Sequence, residues 1–246
     1  MINKMAEYDK IAEEYSEVQD KRISRTYLYD INLFNQIGDL KGKSILDLAC
    51  GDGRLTREIK KRGADKVLGI DISEEMIKIA LKKEAEDKLN IDYKVGAVGE
   101  LGKLGKFDII VAGFLLHYSK TKEELQKMCN DIALNLKKDG RFVALNTNPE
   151  FPLTTNKKYE TTVKSKGPLK EGSELIVTLY QKDEEICSFN TYNWNKETYE
   201  KCMKNAGLNV KWIPLKITDK ALKEFGKEFW DDYFKNPIIT IIEAKY

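Results

Sequence analysis

SILDLACGDGRLTREIKKRGADKVLGIDIS, residues 44–73, holds two apolar runs, a glycine-bearing turn and a basic segment in one unit. The first run, Ser44–Leu48, leads into Ala49-Cys50-Gly51-Asp52-Gly53; the second, Lys66–Ile70, ends on Asp71. Between them, Arg54–Arg62 has helical spacing of its apolar residues. Short apolar strands on either side of a helix belong to a parallel sheet covered on both faces. Ligands of such sheets bind beyond the carboxyl ends of the strands, where the crossovers change face. Gly51 and Gly53 fall at that position, and the absence of side chains there lets a ligand approach the backbone. Asp71 follows Asp47 by 24 residues and suits the vicinal hydroxyls of a ribose. The unit therefore asks for a nucleoside.

The same alternation continues outward. Further strands are predicted at Ile91–Val95, Phe107–Ala112 and Arg141–Leu145, with helices at Glu74–Leu89 and Lys122–Lys137. Ser73 followed by two glutamates is a helix start, with a capping hydroxyl and acids at the positive end of the dipole. Lys137-Lys138-Asp139-Gly140 reads as a stop, with Gly140 left-handed. Before this unit, residues 1–38 read as helices, on the spacing of Ile11, Tyr15 and Val18 and then of Ile23, Tyr27, Leu28, Ile31 and Phe34. After Asn148-Pro149, residues 159–194 alternate β-branched and aromatic residues with turns, predicting two or three antiparallel strands. A helix at Lys196–Asn205, a strand near Leu208–Ile213, a helix around Asp219–Phe234 and a strand at Ile238–Ala244 follow.

Composition narrows the function. The 42 basic and 40 acidic residues leave +2, so no basic field points to nucleic acid or an anionic membrane. No apolar run reaches the roughly 18 residues of a membrane span, and MINKMAEYDK has no apolar signal core, so a cytoplasmic protein is expected. The four cysteines lack CxxC spacing and read as reduced thiols, Cys50 as a packing residue. His117 is the sole histidine, which excludes multi-histidine metal sites, and no metal is expected. The turn departs from the G-x-G-x-x-G of dinucleotide folds, and Asp47 and Asp52 would repel a pyrophosphate. They suit a positively charged ligand, such as the ammonium and sulfonium of S-adenosylmethionine.

LDLACGDGRLT, VLGIDISEEMIKIA, FDIIVAGFLLHYS and LKKDGRFVALN, in this order and spacing over residues 44–146, resemble the class I S-adenosylmethionine-dependent methyltransferases. The resemblance implies an α/β, doubly wound, seven-stranded, mostly parallel sheet whose last strand is antiparallel, here PIITIIEAKY. It divides the chain into an N-terminal helical cap (1–42), a cofactor-binding core (43–150), an antiparallel β insertion or lid (151–195) and a segment completing the sheet (196–246). It implies that Asp47, Ala49 and Gly51 approach the methionine part, that Asp71 holds the ribose, and that Ile72 and Met76 flank the adenine. Gly113, at the end of the fourth strand, belongs to the same set. Two departures stand out. Ala49 replaces a common glycine, and Ala97 stands where the family often has an aspartate for the adenine amino group, leaving the backbone near Ala97 and Val98 to hold it.

YDKIAEEY (8–15), FLLHYS (114–119), NTNPEF (146–151), FGKEFW and NPIITIIEA are further similar to toxoflavin-synthase-like methyltransferases, which methylate ring nitrogens of an azapteridine. Chains that methylate DNA amino groups carry Asn/Asp-Pro-Pro-aromatic after the fourth strand; AGFLLHYS stands there instead. A small-molecule acceptor is expected, with S-adenosylhomocysteine as the second product and a monomeric or homodimeric protein. The alternatives are O- or N-methylation of another metabolite, a non-catalytic nucleoside-binding module and, more remotely, a nicotinamide oxidoreductase. His117, just past the fourth strand, is a candidate base, substrate contact or structural residue. Tyr8 and Tyr15, one helix face apart, either close over the cofactor or dock a helix. Arg25 either pairs with the cofactor carboxylate or lies on the surface. Tyr118, Asn148, Phe151, Tyr192 and Trp194 are candidates to stack on or border a flat substrate. The strands of 159–194 would form a lid over the substrate or a dimer contact.

Overall fold

The computed structural model describes Asp9, residues 12–19 and residues 21–246, with the backbone alone for 14 and 17–19, and among the described residues it has ten strands and seven α-helices. Tyr8 and Ile11 lie outside the described residues, as does the Val18 side chain. In chain order come α1 (Ala12–Gln19), α2 (Asp30–Ile37), β1 (Ser44–Leu48), α3 (Arg54–Lys61), β2 (Lys66–Asp71), α4 (Glu74–Asp87), β3 (Asp92–Val95), β4 (Phe107–Gly113), α5 (Lys122–Asn135) and β5 (Leu136–Thr147). Then follow β6 (Thr161–Ser165), β7 (Glu174–Gln181), β8 (Glu184–Tyr192), α6 (Lys196–Asn205), β9 (Asn209–Pro214), α7 (Asp219–Lys235) and β10 (Ile239–Lys245).

The main sheet has seven strands in the order β3-β2-β1-β4-β5-β10-β9. The first five are parallel, and β10 runs antiparallel to both β5 and β9. Because strand side chains alternate between faces, Ile45, Ile109 and Val143 join a core with Leu33, Ile37 and Ile59, while Leu46, Ile110 and Phe142 join one with Leu125, Ile132 and Met203. Helices α3 and α4 thus cover one face and α5 and α6 the other. Each fully buried side chain of this kind contributes roughly 1.5–3 kcal/mol. The crossover changes face between β1 and β4, adjacent in the sheet, and a crevice opens beyond their carboxyl ends.

Strands β6, β7 and β8 form a separate antiparallel sheet. Ser73 caps α4 as expected, its hydroxyl accepting from Met76 N at 3.1 Å. Three expectations need correction. Helix α5 stops at Asn135, and Gly140 lies inside β5 without a positive φ. Its glycine is required because a Cβ there would sit 2.9 Å from the Asp108 carbonyl oxygen. Helix α7 is broken at Gly226, whose φ of 72° and ψ of 167° are not helical. Finally, the N-terminal helices are joined by a π-helical stretch, Arg25–Tyr29, which buries Arg25, Leu28 and Tyr29. Among the described residues no helix is long and apolar enough to cross a membrane.

Candidate functional site

The crevice beyond β1, β2 and β4 holds a cavity of about 410 Å³. Its wall begins where β1 ends. Ala49, Gly51 and Gly53 all have positive φ (56°, 56° and 76°), which folds the turn tightly back on itself. For Ala49 that conformation costs roughly 1–2 kcal/mol, since it carries a Cβ. The two glycines serve different ends. A Cβ on Gly51 would meet nothing within 4 Å, so this residue leaves open space. A Cβ on Gly53 would run into the Tyr93 ring, so its bareness serves internal packing.

Asp71 links the turn to the end of β2. Its Oδ2 accepts from Gly51 N at 2.8 Å and its Oδ1 from Ser73 N at 2.9 Å. Burial pushes its carboxyl above the usual range, against the pull of these backbone donors. Asp47, within β1, is wholly buried. Its Oδ2 accepts from Thr56 Oγ1 at 2.7 Å, and its Oδ1 has no partner among the described residues. Burial raises this carboxyl to about 7, the Thr56 bond opposing and the Asp71 charge assisting. A buried carboxylate oxygen left without a donor is costly unless a ligand supplies one. Ile72 is 49% exposed, an apolar side chain offered to the cavity, with buried Met76 beside it. At the cavity wall the arrangement can take up a diol at Asp71 and a flat apolar group against Ile72.

Asp52 is otherwise employed. It accepts from Ser16 Oγ at 2.7 Å and Lys83 Nζ at 2.5 Å, which fastens α1 to the turn and to α4. Burial pushes its carboxyl up, but these bonds outweigh that and hold it below the usual range. The expectation that its charge faces the ligand is corrected accordingly. Cys50 is a buried thiol pushed well up by burial and by Asp71, Asp47 and Asp52, hence protonated.

Tyr15, Phe114 and Tyr118 line both this cavity and an inner chamber of about 50 Å³. The chamber wall includes Arg22, Arg25, Tyr29, His117 and Phe189. Phe114 has a φ of 85°, strained for a bulky side chain, at the point where β4 opens onto both spaces. His117 Nδ1 is 3.2 Å from Asn146 Oδ1, and Asn146 Nδ2 donates to the Thr147 carbonyl at 2.9 Å. The amide orientation thus makes Nδ1 the protonated nitrogen of His117 and leaves Nε2 with a free lone pair. Burial pushes the imidazole down to about 4, the Asn146 bond opposing.

Of the residues expected from the sequence, Tyr15, Ala49, Gly51, Asp71, Ile72, Met76, Ala97, Val98, Gly113, Tyr118 and Tyr192 border the larger cavity. Arg25 and His117 border the inner chamber. Arg25 is buried rather than on the surface, 3.6 Å from Asp30 and with its guanidinium 5.6 Å from the centroid of the Phe114 ring. Asp47, Asn148, Phe151 and Trp194 line neither space, Asp47 lying buried in β1 behind Ala49 and Gly51. Asn148 is bound into the fold, donating to the Pro237 carbonyl at 2.8 Å and accepting from Glu150 N at 3.1 Å. Trp194 lies in the α5–α6 core and donates to the Ser119 carbonyl at 2.9 Å. The sequence reading missed Arg22, Tyr29, Phe114 and Phe189. Arg22 and Tyr29 share a helix face with Arg25 at spacings of three and four, a signal that was available.

The strand order, the single antiparallel strand and the glycine turn facing an acidic strand end define the class I S-adenosylmethionine-dependent methyltransferase fold. Residues 45–140 match the methyltransferase domain family. A ubiquinone biosynthesis O-methyltransferase of Acinetobacter baylyi is 35% identical over 46% of this chain and 48% of its own length. A demethylmenaquinone methyltransferase of Lactococcus lactis is 34% identical over 51% of each chain. The chain thus spans about half the length of these curated relatives. An S-adenosylmethionine dependent methyltransferase structure from Mesorhizobium loti superposes with a TM-score of 0.64 at 18% identity, over 87% of this chain and 95% of its own.

Proposed function

We propose that this chain transfers a methyl group from S-adenosylmethionine to a ring nitrogen of a small, flat, azapteridine-like heteroaromatic. The observation that carries the reading is Asp47. It is a wholly buried carboxylate with an unpartnered oxygen, in the strand that leads to the open face of Gly51. The residues fit the cofactor. Asp47 would receive the ammonium of the methionine part, with Ala49 and Gly51 giving it room, and Arg25 its carboxylate. Asp71 would accept from the ribose diol. Ile72, Met76 and Val98 would enclose the adenine, and backbone groups at Ala97 and Val98 would take its polar edge in place of the missing aspartate. Gly113 allows close approach from β4, and Tyr15 covers the site from α1.

When bound, this cofactor supplies a methyl group already activated by its sulfonium. The chain's own part is alignment, which supplies roughly 7–11 kcal/mol through proximity. Tyr118 and Tyr192 border the larger cavity from one side and flank the acceptor ring. Neutral His117 accepts the ring N–H proton at Nε2. The β6–β8 sheet, with Tyr192 and Asn190 at the cavity, acts as a lid that selects the acceptor and excludes water.

Isothermal titration with S-adenosylmethionine tests the first step, and absence of binding rejects the proposal. The name of one curated relative, a ubiquinone biosynthesis O-methyltransferase, favours a second reading, methylation of an oxygen. Assaying azapteridines, phenols and amines side by side separates the two.

A further inference from the structure

We propose that the acceptor is a planar aromatic anion whose charged group enters the inner chamber from the larger cavity, past Tyr118, and that Arg22 selects that charge; this rests on the methyltransferase reading above. Arg22 is 5% exposed and lines the chamber. Its guanidinium meets only neutral oxygens among the described residues, donating to the Glu160 carbonyl at 3.4 Å and to Thr161 Oγ1. Its Nε has no partner among the described residues. The nearby Glu160 carboxylate is turned to the backbone, accepting from Ile23 N at 2.6 Å. Arg25, one helical turn on, does not relieve the imbalance. Its neighbour Asp30 is already held by both nitrogens of Arg54, at 2.7 and 3.0 Å. Arg25 Nε is likewise unpartnered.

Two guanidinium groups therefore face one small space: Arg25 shares Asp30 with Arg54, and Arg22 makes no bond to the Glu160 carboxylate beside it. Charged side chains are almost never fully buried without a partner, because the desolvation cost is several kcal/mol per ion. A ligand anion would supply the missing charge. The other walls describe the rest of it. The His117 and Tyr118 ring centroids are 4.7 Å apart and those of Tyr118 and Phe189 6.2 Å, so aromatic surfaces border the chamber. His117 is neutral and adds no charge of its own. A guanidinium bonds an aromatic carboxylate, or a ring deprotonated at nitrogen or oxygen, through parallel N–H donors. Arg25 then serves the cofactor and Arg22 the acceptor.

The test uses the full chain saturated with S-adenosylhomocysteine and titrated with paired probes. These are salicylate against salicylamide, quinaldate against quinaldamide, and pteridine-2,4-dione below and above its deprotonation. In at least one pair the anion binds about tenfold tighter or more, the effect of roughly one charge-assisted bond. Arg22→Gln reduces that preference to within about twofold and Arg22→Lys keeps part of it, while S-adenosylhomocysteine affinity stays within about twofold in both. Equal binding, or none, in every pair overturns the proposal, as does a preference that survives Arg22→Gln. An equal loss of S-adenosylhomocysteine affinity in Arg22→Gln overturns it too, assigning Arg22 to the cofactor. Should Arg22→Gln not fold, the wild-type pairs and Arg22→Lys decide. Failure of the wild type to bind S-adenosylhomocysteine sinks the methyltransferase reading and this proposal together; binding without anion preference sinks this proposal alone.

Discussion

The backbone N–H of Gly51 donates to the Asp71 carboxylate across 2.8 Å, so the turn after β1 is held in place by the residue that ends β2. The same carboxylate accepts from Ser73 at the start of α4. Asp71→Asn keeps the volume but removes the charge and one acceptor. The expected result is about a 10- to 100-fold loss of S-adenosylmethionine affinity by calorimetry, following the ~1.5–3 kcal/mol of hydrogen bonds to a charged group.

Under the proposed function, Asp47 should make cofactor affinity depend on pH. Its folded pKa, raised to about 7, lies above the unfolded value, so the unliganded fold binds the extra proton between the two. Stability of the unliganded protein accordingly falls as pH rises through that window. A cationic ligand needs the ionised form, so affinity climbs about tenfold per pH unit below the transition and levels off above it. Asp47→Asn flattens this profile and weakens binding throughout.

His117 has the opposite sign. Burial lowers its folded pKa to about 4, so the fold excludes the proton, and stability is lost as pH falls from the ordinary histidine range towards that value. The group is neutral at physiological pH. Turnover should therefore contain no His117 inflection near neutrality. His117→Gln lowers kcat about 10²-fold or more while leaving S-adenosylmethionine affinity within about twofold, as measured by steady-state kinetics and calorimetry.

Ala49 holds a φ of 56°, a left-handed conformation that favours glycine. Ala49→Gly relieves the left-handed strain of ~1–2 kcal/mol, offset by ~0.5–1 kcal/mol of added freedom in the unfolded chain. A net gain of up to about 1 kcal/mol raises the melting temperature by roughly 2–4 °C in a chain of this size.

Much of this site was legible in the sequence because local chemistry determines it. The Ser73 cap depends on Met76 three positions on, and the glycine turn and Asp71 end apolar runs that are strongly patterned. What escaped depends on contacts across the chain. Asp52 looked like a ligand-facing acid until Lys83, 31 residues on, was found beside it. Gly53 looked like room for a ligand, but Tyr93 fills the space. Gly140 looked like a helix stop, yet what requires it is a carbonyl on β4. Asn148 and Trp194 looked free to meet substrate, but the backbones of Pro237 and Ser119 already engage them. Arg22 was overlooked because its partners, Glu160 and Thr161, come from the inserted sheet 138 and 139 residues away.

The Ser16–Asp52–Lys83 cluster has a kinetic consequence. Asp52 belongs to the turn beneath the larger cavity and Ser16 to the helix above it, so that helix cannot lift without breaking a bond to the rim. Lys83 is 35% exposed, so dissolved ions reach the pair and weaken it. Raising ionic strength should then speed cofactor exchange in stopped-flow traces, and Lys83→Met should exchange fast at every salt concentration.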